Sequence, residues 1–253
     1  MNTGIFNLSP FNNTNKHSEV DIINKLYIKN NKTSQIAKQD TNKIFDDKKW
    51  FYICSSGGCG STLLYKYLTN FGNVEHIHDR YPPEKLEFVG KRNSTEDTYS
   101  EWFNKVTIPE NEIHNYKVIF IYRDAIDVIY SRFGGPRGPN INHLKHVMCK
   151  NEGNIHLNDV IYNKKDLYEL EEFFDNYVYK TNKNYSIYCI KYENFFDNIE
   201  VINKILEIPN IKSLYPTRIE RKKKKKKIHV NILNAIYDNL KLKMKKMRAI
   251  QII

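Results

Sequence analysis

Short apolar runs alternate along this chain with segments whose apolar residues recur every three or four positions. Runs at 51–54, 74–78, 117–122 and 185–190 predict buried strands of a parallel sheet. Helical spacing between them predicts helices over 61–69, 125–133, about 165–179 and 199–206. Asp124 is placed to cap the second helix, and Gly134-Gly135 to stop it. In the third, Leu167, Leu170, Phe174 and Tyr177 share one face. Strands that alternate with helices predict an α/β fold, a three-layer α/β/α arrangement around a central parallel sheet.

Outside this body the pattern weakens. Residues 1–45 are polar and rich in Asn and Lys, and predict a low-complexity, disordered segment with a short helix near 20–27. Residues 46–220 form the predicted domain. Residues 221–253 combine a basic run, Arg221 to Lys227, with Leu233, Ile236, Leu240, Met244 and Met247 at helical spacing. That stripe predicts an ordinary packing face, with a membrane-surface helix as the alternative.

Charge changes the picture only once it is located. The formal net charge is +11, which suggests a nucleic-acid binder. Yet twelve of the 40 Lys and Arg, and one of the 29 acids, lie from Arg221 onward, leaving 28 basic and 28 acidic residues before it. The body is formally neutral, which argues against specific nucleic-acid recognition by a charged face. No apolar run is long enough for a membrane-spanning helix or a signal peptide, so a soluble, intracellular, cytoplasmic location is expected. Cys54, Cys59, Cys149 and Cys189 have neither metal-site nor disulfide-framework spacing, which fits a reducing compartment.

Two stretches carry candidate chemistry. In the first, the strand at 51–54 breaks into Ser55-Ser56-Gly57-Gly58-Cys59-Gly60-Ser61-Thr62 and a helix follows. Glycines at 57, 58 and 60 allow positive φ and close approach of a ligand. Free amides at the helix start, with the Ser61 and Thr62 hydroxyls, favour an anion. A nucleotide-hydrolase loop needs Lys before its Ser or Thr, but here Gly60 meets Ser61 directly. In the second stretch, a strand ends at Arg123 and a helix begins at once. Ser131 lies eight residues on, about 12 Å along that helix. A guanidinium and a hydroxyl so placed can grip one compact anion. The alternative pairs Arg123 with Asp127 and leaves Ser131 as a surface residue. Both stretches fall at the carboxyl ends of strands, where open α/β sheets bind ligands.

Together these segments resemble the sulfotransferases that use 3′-phosphoadenosine 5′-phosphosulfate (PAPS), closer to the carbohydrate sulfotransferase type. Gly58-Cys59-Gly60-Ser61-Thr62 is similar to the loop that holds the 5′-phosphosulfate. Arg123-Asp124-x-x-Asp127-x-x-x-Ser131 is similar to the motif that holds the 3′-phosphate. Tyr192-Glu193, after a later strand, matches a further family feature and implies that Tyr192 contacts adenine. The resemblance covers about Trp50 to Leu206. It implies a P-loop-like fold, PAPS as co-substrate, no metal, and an acceptor hydroxyl, on a glycan by the style of the loop.

One departure stands out. The family places Lys or Arg where this chain has Gly58, and that cation offsets charge on the oxygen released during transfer. Another cation substitutes, or backbone amides suffice, or activity is reduced. Lys66, one turn into the helix, is a weak substitute, and Arg80 is a candidate. For the base, His78 is preferred and His76 is second, since both share one face of a strand that ends at the same edge. Arg132 and the loop 134–139 are candidates for contacting an acidic acceptor, or simply form surface. The expected function is sulfuryl transfer from PAPS. The alternatives are a weakened or inactive nucleotide-binding homologue, a P-loop kinase, and a nucleic-acid or membrane binder acting through the basic tail.

Overall fold

In the computed structural model the described residues are 44–89, 105–133, 144, 147, 149–150, 155–218 and 229–253. The chain divides into two units, Met1–Ile44 and Phe45–Ile253, and the description below concerns the second. The expected helix near 20–27, the stop at Gly134-Gly135, the loop 134–139 and the basic run 221–227 lie outside the described residues.

Five strands form the main sheet. β1 (Trp50–Cys54) pairs in parallel with β2 (Asn73–Ile77) on one side. On its other side it pairs in parallel with a seven-residue strand, Tyr116–Tyr122. A separate antiparallel pair, β3 (Glu87–Val89) and β4 (Lys105–Thr107), comes before that strand in the chain, which is therefore β5. β6 (Ile187–Lys191) continues the sheet in parallel, and β7 (Ile250–Ile252) closes it antiparallel, giving the order β2-β1-β5-β6-β7. The architecture is α/β with a mostly parallel central sheet. Each of the four predicted strands is present, shifted by at most two residues at an end.

Strand alternation sends side chains to two sides. Tyr52, Cys54, Val118, Phe120, Tyr122, Ile187 and Cys189 belong to one large buried cluster. The helix α4 (Leu170–Val178) packs there, its Tyr177 ring stacked 4.5 Å from Phe120. Phe51, Ile53, Ile119, Ile121 and Ile190 are equally buried on the other side. Helix α1 (Ser61–Leu68) and helix α6 (Ile199–Ile205) are tied to each other by the Tyr67 hydroxyl, which donates to Asn203 at 2.8 Å. Helix α2 (Ala125–Arg132) begins as predicted, the Asp124 carboxylate accepting from the amides of Ile126 and Asp127. The remaining short helices are α3 (Leu157–Asn163) and α5 (Tyr192–Phe195).

Two sequence expectations change. Residues 165–169 are turn rather than helix. The Asp166 carboxylate accepts from the Glu171 amide at 2.9 Å and from the Tyr237 hydroxyl at 2.7 Å, a local alternative to helical bonding. The tail stripe is two helices, α7 (Val230–Ile236) and α8 (Asp238–Lys246), followed by β7. Leu233, Leu240, Met244 and Met247 join the main cluster, so the described part of the tail is built into the core. All four cysteines are free and buried. Among the described residues no helix is long and apolar enough to cross a membrane.

Candidate functional site at the carboxyl edge of the sheet

Four neighbouring strands deliver the candidate residues to one edge. The glycine-rich loop follows β1, His78 follows β2, Arg123 follows β5 and Tyr192 follows β6. β1 lies between β2 and β5, so successive connections leave it in opposite directions. That reversal opens the crevice in which α/β sheets bind ligands.

Ser55 organises the loop. It is fully buried, accepts from the Gly57 amide at 3.2 Å, and lies 3.1 Å from the Ser61 hydroxyl. The three loop glycines all take positive φ, as expected. Gly60, at φ 85°, sits at the start of α1, and no side chain caps that end. The first amides of a helix have no partner within it. Here the Leu63 amide donates to the Gly60 carbonyl at 3.0 Å, and the amides before it stand at the positive end of the helix dipole. Thr62 is exposed, whereas the Ser61 hydroxyl is turned inward toward Ser55. Cys59 is buried with its thiol directed at the Gly57 carbonyl, and burial pushes that thiol up to about 11. At neutral pH it is a structural thiol.

The second motif lies directly against this loop. A Cβ built on Gly58 would stand 3.2 Å from both Cβ and Oγ of Ser131. Arg123 reaches the Gly58 carbonyl with Nη1 at 3.4 Å. Its guanidinium also stands 5.0 Å over the Tyr192 ring, and a Cβ on Gly60 would come within 2.2 Å of that same ring. Tyr192 thus spans the loop and the arginine. Local acids also hold Arg123: Nη2 bonds Asp127 at 2.8 Å, and Glu193 lies 3.9 Å from Nε. The pairing with Asp127 weighed from the sequence is therefore present, and Ser131 is exposed while touching the loop. Glu193 bridges further, accepting from the Asp124 amide at 2.9 Å.

The two histidines stand together, ring centroids 5.0 Å apart. His78 Nδ1 lies 2.7 Å from the Ser55 carbonyl oxygen. A carbonyl only accepts, so Nδ1 carries the proton and Nε2 is the basic nitrogen of the neutral ring. Burial, with the nearby His78 and Arg132 charges, lowers His76 to about 4. A histidine exposed in the unfolded chain titrates near 6.5. Between those values the unfolded chain holds a proton that the folded chain does not. Stability is therefore full above about pH 6.5 and falls as pH drops toward 4. From pH 7.5 to 4.5 this histidine should remove about 2–3 kcal/mol, and His76→Gln should flatten that part of the profile. Urea titrations at the two pH values measure it, and an unchanged slope in the variant would assign the acid sensitivity elsewhere.

Arg80 is not at this site. It is 1% exposed, donates from Nε to the Val147 carbonyl at 2.9 Å, and pairs with Glu169 at 3.2 Å. That burial and pairing remove it as a substitute for the missing loop cation, and Lys66 is exposed on α1. Sequence reasoning did not assign Ser55 as the organiser of the loop or Glu193 as a bridge. A serine directly after a buried strand was the available signal for Ser55. Beside Asp124 lies an open basin of about 320 Å³ lined by Lys191, Lys241, Lys245 and Asp238. Among the described residues no three His, Cys, Asp or Glu side chains group as a metal site. No family model, curated protein or solved structure matches this chain.

Proposed function

We propose that this protein is a sulfotransferase that moves a sulfuryl group from PAPS to an acceptor hydroxyl, on a sulfotransferase variant of the P-loop fold. The observation that carries this reading is the contact between the two motif segments. Gly58 of the loop packs on Ser131, and Arg123 reaches the Gly58 carbonyl although 65 residues separate them. Two anion-binding segments that adjoin at one sheet edge suit one ligand with two phosphate groups on a single ribose. The amides at Gly60–Thr62 are assigned the 5′-phosphosulfate, since that of Leu63 is held by the Gly60 carbonyl, and Arg123 with Ser131 the 3′-phosphate. Tyr192 is assigned a place beside the nucleoside.

The chemistry is an in-line displacement. The acceptor oxygen attacks sulfur, the bond from sulfur to the 5′-phosphate oxygen breaks, and its electron pair stays on that phosphate. His78 is the proposed base, because the Ser55 carbonyl holds its Nδ1 proton and makes Nε2 the basic nitrogen of the neutral ring. A glycan hydroxyl remains the proposed acceptor.

A second reading is a nucleotide-binding homologue without turnover. It is favoured by Gly58 in place of a cation and by the engagement of Arg123 with Asp127 at 2.8 Å. Transfer of labelled sulfate from PAPS to a panel of glycans separates the two.

Arg123→Ala tests the shared claim of donor binding. The variant should bind adenosine 3′,5′-bisphosphate about 1.5–3 kcal/mol more weakly, the range for hydrogen bonds to charged groups. AMP lacks the 3′-phosphate and should lose much less. Equal losses for both ligands in calorimetry would make Arg123 a structural residue.

A further inference from the structure

The chain has glycine where the resembling enzymes carry a loop cation, and the fold explains why no side chain stands there. Gly58 has φ 70°, a conformation that disfavours any residue with a Cβ. The space such a residue would enter is already filled. Its Cβ would stand 3.2 Å from Ser131 and 3.4 Å from the Cγ of Arg132. The side chain that occupies the neighbourhood of position 58 is therefore itself a cation, delivered from the last turn of α2.

We propose that Arg132 supplies in space the positive charge that the loop lacks in sequence, and that it binds the 5′ anionic group of the donor. The inference rests on the donor-site reading given above.

The packing of Arg132 against position 58 places the charge, and three further observations agree with it. Burial raises the Cys59 thiol inside the loop, and Arg123 and, less strongly, Arg132 pull it back down. The Arg132 charge is also felt at His76, after burial and the charge of His78. The Arg132 Nε is buried and has no hydrogen-bond partner among the described residues. Burial lowers Arg132 itself from its ordinary value, and no carboxylate opposes that shift. The Arg123 Nε also lacks a hydrogen bond among the described residues, but carboxylates surround that guanidinium: Asp127 bonds Nη2 at 2.8 Å and Glu193 lies 3.9 Å from Nε. A half-buried guanidinium with an unsatisfied donor is costly to keep without a function. A favourable interaction with the helix C-terminus is the competing explanation, and it requires no ligand.

The role follows from the electron count. As the acceptor oxygen bonds to sulfur, the S–O bond to the 5′-phosphate breaks and the pair collects on that oxygen. The acceptor proton passes to His78 Nε2. Negative charge thus grows on the 5′ side, beside the loop. A fixed cation there stabilises the transition state more than the bound donor.

The test uses the full chain and two nucleotides, adenosine 3′,5′-bisphosphate and adenosine 3′-monophosphate, which lacks the 5′ group. Affinities are measured by calorimetry, by competition where weak. Arg132→Gln should weaken bisphosphate binding about tenfold or more, the scale of a lost charge-assisted bond, and leave 3′-monophosphate binding within about twofold. Arg132→Lys keeps the charge and should fall between wild type and Arg132→Gln. Equal losses for both nucleotides, or no loss for either, would overturn the assignment and leave Arg132 a helix-terminal residue. Wild-type protein that binds neither nucleotide would overturn the donor-site reading itself, a different failure from the first.

Discussion

Gly60→Val should abolish the proposed donor binding and lower stability by about 2–5 kcal/mol, adding a left-handed backbone penalty to an overpacking penalty. The sequence alone suggests a milder outcome, a folded protein with an obstructed loop. The structure changes the reason. A Cβ at position 60 would stand 2.2 and 2.3 Å from ring carbons of Tyr192. No real contact is that short, so the ring must leave its place over the loop. Tyr192 also stacks on Arg123, so its departure loosens both halves of the site. Gly60 has φ 85° as well, which Val tolerates poorly. A cycle separates the two costs. Gly60→Ala in a Tyr192→Ala background should retain only the backbone part, about 1–2 kcal/mol. Additive losses would show that Tyr192 is not what the glycine accommodates. Full donor affinity in a folded Gly60→Val protein would remove the loop from the site.

Arg80→Met should destabilise the fold by about 3 kcal/mol or more, because it leaves buried acid without its cation. Glu169 is 12% exposed and Glu172 26% exposed around that guanidinium. Arg80 also donates to the carbonyls of Val147 and Glu169 and lies 5.7 Å over the Phe173 ring. It therefore joins the segment after β2 to α4 and to the region of Val147. The Lys150 amide also binds Glu169, at 3.0 Å, which keeps the effect toward the lower end of such losses. For a chain of this size the melting temperature should fall by roughly 6–12 °C. Adding Glu169→Gln should recover part of the loss, since the uncompensated charge is then gone. A fall of less than about 1 kcal/mol in urea titration would mean that the acids find other partners.

The frame was legible because its signals are local. The run 117–122 is unbroken and apolar except for Lys117, which is itself buried and paired with Glu207 at 3.2 Å. The cap at Asp124 and the turn at Gly57–Gly60 each depend on residues a few positions apart. What was not legible depends on distance. β7 is three residues long and gains its place only by pairing with β6, Ile250 opposite Ile190. The antiparallel pair of Glu87–Val89 and Lys105–Thr107 is as short. Arg80 read as an unplaced cation because its carboxylates come about ninety residues later. The tail's charge drew the eye because its lysines cluster at 222–227 and 241–246, although the stripe between and beside them already predicted a packing face. Leu233, Leu240 and Met244 lie on one buried stripe and reach the core.

The candidate site divides in the same way. Gly57, Gly58, Gly60, Arg123, Ser131 and Tyr192 were visible as types at fixed spacing, and the fold brings them to one edge. Their mutual contacts were not visible, since Gly58 meets Ser131 and Gly60 meets Tyr192 only once β1, β5 and β6 align. Arg132 shows the limit most clearly. In sequence it is the residue after Ser131 and a candidate for the acceptor. In the fold it stands beside the position where the loop has no side chain.

The central claim is that this edge binds a nucleotide with phosphates at both the 3′ and the 5′ positions. Calorimetric titration of the wild-type chain with adenosine 3′,5′-bisphosphate, beside AMP under the same conditions, tests it most directly. The account predicts saturable one-to-one binding of the bisphosphate, at least about tenfold tighter than AMP, because the 3′-phosphate adds a charge-assisted contact to Arg123. Equal affinity for the two nucleotides, or binding of neither, would contradict it.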